Sequence, residues 1–445
     1  MKKSKFKFFD AVLAMVCIVL VTEACAPTAA IGNSQYFWWL FLLIFFFVPY
    51  GLVSCELGTT YKSEHGIYDW VKRAFGNKWA NRVSYYYWVN FPIWIASITV
   101  LFVEILELVL KLNFSILSKL IIEIIFITLV SYLGQTRLSK YKRVIDLGTM
   151  IKVFLMGSLG LIGIYTSITK GTATSFELSS FIPKFTFNDL SYVSVIIFNF
   201  IGLEIIATFR KQIDNPQKDM PKIVLFSGIL IAFFYILASF GLSVAIPKEN
   251  LSLDTGLVES FQILLGINNN IVIVIISILF MYTLFVSLLS WTEGVNIECV
   301  AAAKEKGLPE IFGYKDKKGN LLGASFVTWI TSILIVLTEL FIEEKDLFWS
   351  FFALNLITLL LTYLPMFLAF KKLREKDNLR HRPYKVPGNK FIINLITYVP
   401  TILLFLSIIL TMMPSSFTID GIFEKVPIIL GTIIAIIVGE MMIRN

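Results

Sequence analysis

A handful of ionisable side chains fall inside long apolar runs, where an isolated charge is costly and must face a cavity or a partner. Glu23 stands in Val21-Thr22-Glu23-Ala24-Cys25-Ala26-Pro27, Glu204 in Asn199-Phe200-Ile201-Gly202-Leu203-Glu204, and Lys152 in Met150-Ile151-Lys152-Val153-Phe154. Glu293 and Glu298 share a run with Trp291, and Glu56 lies in Ser54-Cys55-Glu56-Leu57. Carboxylates and ammonium groups in such places can bind a charged solute, move a proton or neutralise one another. Pro27 has no amide hydrogen and disfavours helix at Ala26, while Gly202 leaves helical geometry at little cost, so helix interruptions are expected beside Glu23 and Glu204. Amides freed at the start of an outer half-helix, near Cys25, Ala26 and Thr28, would receive an anionic group. Carbonyls freed near Phe200, Ile201 and Gly202 would receive an ammonium. A zwitterionic amino acid fits that polarity. The competing reading is a plain kink at Pro27 and a close helix contact at Gly202.

Lys152 is the one basic residue deep in a run, too far in for its stem to reach an interface easily, and it needs a carboxylate or carbonyl partner unless it is neutral. It could stand where a metal ion would otherwise sit, or carry a proton. Glu104, Glu107 and Glu123 lie closer to water or to Lys111 and Lys119, so pairing or solvation accounts for them. Glu56 suits a brace within a bundle better than a contact to a solute.

The elements that must position these residues follow from composition. Of 445 residues, 57% are hydrophobic and 16% charged, with a mean hydropathy of +0.77. That leaves too little polar surface to coat a soluble globule. A hydrocarbon core about 30 Å thick needs roughly 20 apolar residues per helix. Twelve runs qualify, near 9–31, 37–61, 80–110, 115–134, 144–168, 190–210, 222–246, 270–303, 322–342, 347–370, 391–413 and 425–443. The expectation is an all-α membrane protein of twelve transmembrane helices. A cleaved leader ending near Thr22-Glu23-Ala24-Cys25 is the alternative for the first run, but Glu23 suits no cleavage site and further spans follow, so a retained span is simpler.

With an even number of spans both termini share a side. If that side is cytoplasmic, 31 of the 39 Lys and Arg residues fall on it, and seven fall opposite: Lys111, Lys119, Lys170, Lys184, Lys248, Lys345 and Lys425. This is the positive-inside pattern of a cell inner membrane, and it accounts for the net charge of +8 without nucleic acid. Tyr36-Phe37-Trp38-Trp39 and the cluster from Trp79 to Trp88 suit either the headgroup level or packing between helices. Cys17, Cys25, Cys55 and Cys299 have no paired spacing, and His65 and His381 lie in polar connectors. No disulfide framework, metal site, cofactor or Ser-His-Asp chemistry is indicated. The sequence leaves a homodimer open.

Motifs spread along the chain resemble one superfamily. Phe200-Ile201-Gly202-Leu203-Glu204 followed by Asp214-Asn215-Pro216-Gln217-Lys218-Asp219-Met220-Pro221 resembles the sixth-span signature of amino acid-polyamine-organocation (APC) transporters. Glu56 with His65-Gly66-Ile67-Tyr68-Asp69-Trp70, the loop Lys304 to Pro309, and Arg382-Pro383-Tyr384-Lys385-Val386-Pro387-Gly388 resemble other stretches of that superfamily in the same order. Glu23 near a proline, Phe181-Ile182-Pro183-Lys184-Phe185 and Leu289-Ser290-Trp291 resemble its bacterial glutamate/γ-aminobutyrate antiporter group. The resemblance implies a LeuT-like five-plus-five inverted repeat. Residues 1–370 would form the transport core, 371–390 a cytoplasmic connector and 391–445 two additional helices. It also implies that Phe198 is an aromatic gate, Glu204 a carboxylate near it, Trp291 a ring beside the substrate, and Lys152 a cation in the place of a sodium ion. The first span departs from the glycine-rich break of many members, and Glu293 has no obvious counterpart in the antiporter group.

The combined expectation is a secondary transporter, exchanging an amino acid for a related one or for its decarboxylated amine. Glu23, Cys25, Ala26, Thr28, Phe198, Ile201, Gly202, Trp291 and Glu293 would form its substrate site, and Lys152 and Glu204 its gating or proton-coupling groups. Proton-coupled uptake is the alternative within transport. A membrane enzyme would need a nucleophile, base or metal constellation that is not visible, and a sensor usually needs a soluble output domain, for which no connector is long enough.

Overall fold

The computed structural model describes residues 7–61, 65–136, 138–206, 213, 215–266, 271–342, 347–414 and 416–443. Of the residues named above, Asp214 and Lys345 lie outside the described residues, as does the side chain of Cys17. The apolar runs become helices: α1 (Phe8–Val19), α2 (Cys25–Ala29), α3 (Gln35–Thr60), α4 (Gly66–Phe75), α5 (Asn77–Leu110), α6 (Ile116–Gly134), α7 (Lys142–Thr169), α8 (Phe187–Ser191) and α9 (Val193–Phe198). After them come α10 (Pro216–Ala245), α11 (Gly256–Leu265), α12 (Ile271–Lys304), α13 (Leu322–Val336), α14 (Leu347–Lys376), α15 (Lys390–Met412) and α16 (Ile419–Met442). Local chemistry sets several of their starts. Ser115, Asn389 and Thr418 each accept a backbone N–H with the side chain at the N-terminus of α6, α15 and α16, and Pro216 opens α10.

Among the described residues, ten helices are long and apolar enough to cross a membrane. The protein is multi-pass. The other two expected spans, 9–31 and 190–210, are the ones that do not form a single long helix. In the first, α1 ends at Val19, Leu20 is extended, and helix resumes at Cys25. The interruption therefore precedes Pro27 rather than falling at it. Pro27 sits in the first turn of the new half-helix, where a missing amide hydrogen leaves no bond unmade. Tyr235 of α10 bridges the gap, its hydroxyl accepting from the Val21 N–H and donating to the Val21 carbonyl at 3.0 Å each.

In the second, α9 ends at Phe198, and Gly202 takes φ +107°, a conformation that L side chains rarely adopt. A third irregularity was not expected. Within α3, Leu43–Phe47 form a π-helical turn just before Pro49 and Tyr50, a feature that re-aims the side chains after it.

The long α14 is buried over most of its length and packs against α5 and α15. Helices at the rim, such as α6 and α16, expose Ile121, Ile125, Ile433 and Ile437 to where lipid would lie. The contact of α7 with α10 is close because glycine faces glycine: a Cβ on Gly163 would stand 2.6 Å from Cα of Gly241. Lys152 of α7, on the same helix, is 2% exposed.

Candidate functional site

A narrow cavity lies between the two interruptions, bounded by Val19 and Val21 on one side and Phe198 and Ile201 on the other. Tyr87, Phe91 and Trp94 of α5 and Trp291 of α12 contribute rings, so five aromatic side chains face it. Trp291 stands edge-on to Trp94, with centroids 6.4 Å apart, and Phe198 stands edge-on to Phe352 at 5.4 Å. The Trp291 indole donates to the Ile18 carbonyl at 3.3 Å, a group left near the end of α1 when the helix stops. Gly202 passes so close beneath this ring that a Cβ would lie 3.1 Å from Trp291 Cη2. Polar contacts come from Asn90 and Asn355. Both amide atoms of Asn355 are buried without a hydrogen-bond partner among the described residues. Among the described residues, none that lines the cavity carries a formal charge, and aromatic rings favour a cation.

Charge stands just behind the wall. Glu23, in the unwound stretch before α2, is 2% exposed, and its carboxylate interacts with the Lys152 ammonium and lies beside the Trp94 indole. Of the other first-span residues, Cys25 and Ala26 pack inside α2 away from the cavity, Ala26 near Gly256 of α11. Thr28 ties the two interruptions together: its hydroxyl donates to the Ala24 carbonyl at 2.7 Å and accepts from Asn199 Nδ2 at 3.2 Å.

Glu204 does not line the cavity; it fastens the second interruption to the bundle. Its carboxylate accepts from Tyr363 of α14 at 2.8 Å and from Tyr50 of α3, and the Tyr50 hydroxyl accepts the N–H groups of Gly202 and Glu204 at 3.2 Å each. The π-helical turn ends three residues before Tyr50. Glu293 lies elsewhere. At about 100° per residue, two positions place it on the far side of α12 from Trp291, whereas Val295 at four positions shares the cavity face. Glu293 instead borders a separate pocket with Lys140, Lys315, Lys318 and Asn320. Its expected contact with substrate has no support in this arrangement, because adjacency in sequence was not adjacency on the helix.

One end of the bundle is latched by ion pairs. Glu56, 1% exposed, accepts two bonds from Arg374 at 2.8 and 2.6 Å, one from Arg382 at 3.1 Å and one from the Val386 N–H at 2.7 Å. That fixes α3 to the end of α14 and to the connector after it. Nearby, the segment leading into α4 meets the end of α12, with His65 Nδ1 3.5 Å from Glu298 and Lys72 2.5 Å from Glu305. The Glu298 carboxylate raises the His65 pKa above its ordinary value, overcoming partial burial. Tyr68 and Lys72 both donate to Glu305; partial burial opposes its ionisation, but these bonds hold its carboxyl below the usual range.

The family model for amino acid permeases matches residues 6–438. The chain belongs to the amino acid permease family. This permease is 42% identical over 444 residues to a probable agmatine/putrescine antiporter of Lactococcus lactis subsp. lactis, which covers 100% of the chain and 95% of that relative. It is 24% identical over 411 residues to the glutamate/γ-aminobutyrate antiporter of the same strain, covering 87% of the chain and 79% of the relative. An uncharacterised transporter of Legionella pneumophila is 25% identical over 426 residues, covering 93% and 90%. The permease is thus an APC-type membrane transporter with antiporters among its relatives, of which amine and amino acid exchangers are both represented. Tyr50, Tyr87, Trp94, Asn355 and Tyr363 complete the candidate site. The sequence places Tyr87 only in an aromatic cluster suited to the headgroup level or to packing and does not mark the other four, because an uncharged polar or aromatic residue in an apolar run gives little signal.

Proposed function

We propose that this permease is an antiporter that exchanges agmatine for putrescine, or closely similar amines, across the plasma membrane of a bacterial-type cell, with both termini in the cytoplasm. The observation that carries the reading is the cavity itself: five aromatic rings, unpartnered amide atoms of Asn355 and no formal charge among the described lining residues, with the Glu23 carboxylate beside Trp94. Guanidinium and ammonium groups bind aromatic faces through the ring quadrupole and donate to amide oxygens. The relative at 42% identity, named for agmatine and putrescine, supports the same class of substrate. The lysine and arginine asymmetry supports the orientation.

On this reading Phe198 is the gate, Ile201 and Trp291 touch the substrate, and Gly202 lets the second interruption pass under Trp291. Glu204 and Lys152 act in the transport cycle by holding and releasing the broken segments, and Cys25, Ala26 and Thr28 belong to the hinge. Residues 1–370 move as the inverted-repeat core, and 391–445 form the appended pair of helices. Thermal denaturation of the purified protein tests the substrate class, since a ligand that prefers the folded state raises apparent stability. Putrescine and agmatine should raise the melting temperature in a saturable way, whereas glutamate and γ-aminobutyrate should not. Stabilisation by glutamate alone would overturn the amine reading.

A further inference from the structure

We infer that Glu23 is a built-in substitute for a substrate carboxylate, and that it makes the permease select amines over the amino acids from which they derive by loss of that group. The inference rests on the amine-exchange reading and goes further, by naming the residue that enforces it. An interrupted helix frees backbone amides at the midplane, and in carriers built this way those amides attract an anionic group of the substrate. Here the chain itself supplies the anion at that place. Glu23 lies within the stretch between Val19 and Cys25, and its carboxylate lies against the backbone amides of Thr22 and Glu23.

Neither carboxylate oxygen completes a hydrogen bond of normal geometry with the protein. The group is placed at the amides without being consumed by them, and it remains able to attract a cation. Lys152 supplies the opposite charge that a lone carboxylate needs at this depth, and Trp94, which interacts with Glu23, is itself part of the cavity wall. The described cavity wall offers no cationic side chain for a second carboxylate.

The consequence is a charge filter. Arginine and agmatine, like ornithine and putrescine, differ by one carboxylate. The amino acid of each pair would bring that carboxylate toward Glu23 in a narrow, aromatic-lined site, where like charges repel more strongly than in bulk water. The amine brings positive charge alone. Rejection by unlike fit and by like-charge repulsion is the usual way a site gains specificity beyond attraction.

Counterflow into proteoliposomes containing the full-length protein tests this with four labelled probes: agmatine, putrescine, arginine and ornithine. The wild type is expected to favour agmatine over arginine, and Glu23→Ala to narrow that ratio by at least 10-fold, with arginine uptake rising as agmatine uptake falls. Glu23→Gln, which still covers the amides but has lost the charge, is expected to lose agmatine affinity while gaining less arginine uptake than Glu23→Ala. If Glu23→Ala cannot be purified, Glu23→Ser replaces it with the same expectation. An agmatine-to-arginine ratio in the small-residue variant equal to that of the wild type would overturn the filter, even where agmatine uptake itself falls. Preferential transport of arginine by the wild type would instead overturn the amine-exchange reading beneath it.

Discussion

Replacing Asn355 by leucine separates a binding role from a packing role. Asn355 is 1% exposed, borders the cavity, and has neither its amide oxygen nor its amide nitrogen bonded among the described residues. An unsatisfied buried polar group costs about 1–3 kcal/mol, and an apolar side chain of similar size removes that cost. The substrate-free carrier should therefore become more stable. With an unfolding entropy of about 2 cal/mol/K per residue, the gain corresponds to a melting temperature raised by roughly 1–3 °C. The same substitution deletes the acceptor and donor that a bound amine would use, so affinity should fall by about 5- to 150-fold, the equivalent of 1–3 kcal/mol. Thermal denaturation with and without putrescine, together with the concentration for half-maximal counterflow, reads both quantities on one preparation. A melting temperature that falls, combined with unchanged affinity, would make Asn355 a packing residue and refute the reasoning.

Other perturbations probe the supports of the site. Gly202→Ala forces a side chain into φ +107° and brings its Cβ within 3.1 Å of Trp291 Cη2 and 3.3 Å of Val19 Cγ2. Backbone strain of about 1–2 kcal/mol and a displaced ring should lower transport at least 10-fold while the protein still inserts, and wild-type rates would show that the segment relaxes freely. Glu56→Gln leaves Arg374 and Arg382 partly buried without their carboxylate, which should destabilise the protein by roughly 3 kcal/mol or more in thermal denaturation. A neutral effect would mean that the latch is not formed in the resting carrier.

His65 gives a pH signature. Its folded-state pKa is raised by Glu298, so its stabilising contribution is fully present below about 6.5, the ordinary histidine value, and disappears as pH rises through the folded value. The stability of the wild type relative to His65→Gln should therefore shrink between pH 6 and 8. Parallel pH profiles would exclude the pair.

The fold was legible wherever composition dictates it. Apolar runs of nineteen residues or more, punctuated by lysine, arginine and proline, mark ten helices with ends close to those observed. The interruptions were legible in kind but not equally in position. Gly202 announces itself, because L side chains rarely adopt its φ, whereas Pro27 marks the start of a half-helix, and the chain unwinds several residues before it. Contacts across the bundle were not readable. Nothing local pairs Tyr50 and Tyr363 with Glu204, residues more than 150 positions apart in sequence, and nothing announces the π-helical turn before Tyr50. The face of Glu293 was not legible either: a carboxylate in an apolar run does not reveal which side of its helix it occupies, and here that side is opposite to Trp291.

Exchange is the central claim, and counterflow from loaded proteoliposomes tests it most directly. Labelled putrescine trapped inside should leave when agmatine or putrescine is present outside and should stay when the outer buffer contains neither. Release of putrescine into substrate-free buffer, driven by a pH gradient alone, would contradict the account and identify a proton-coupled carrier instead.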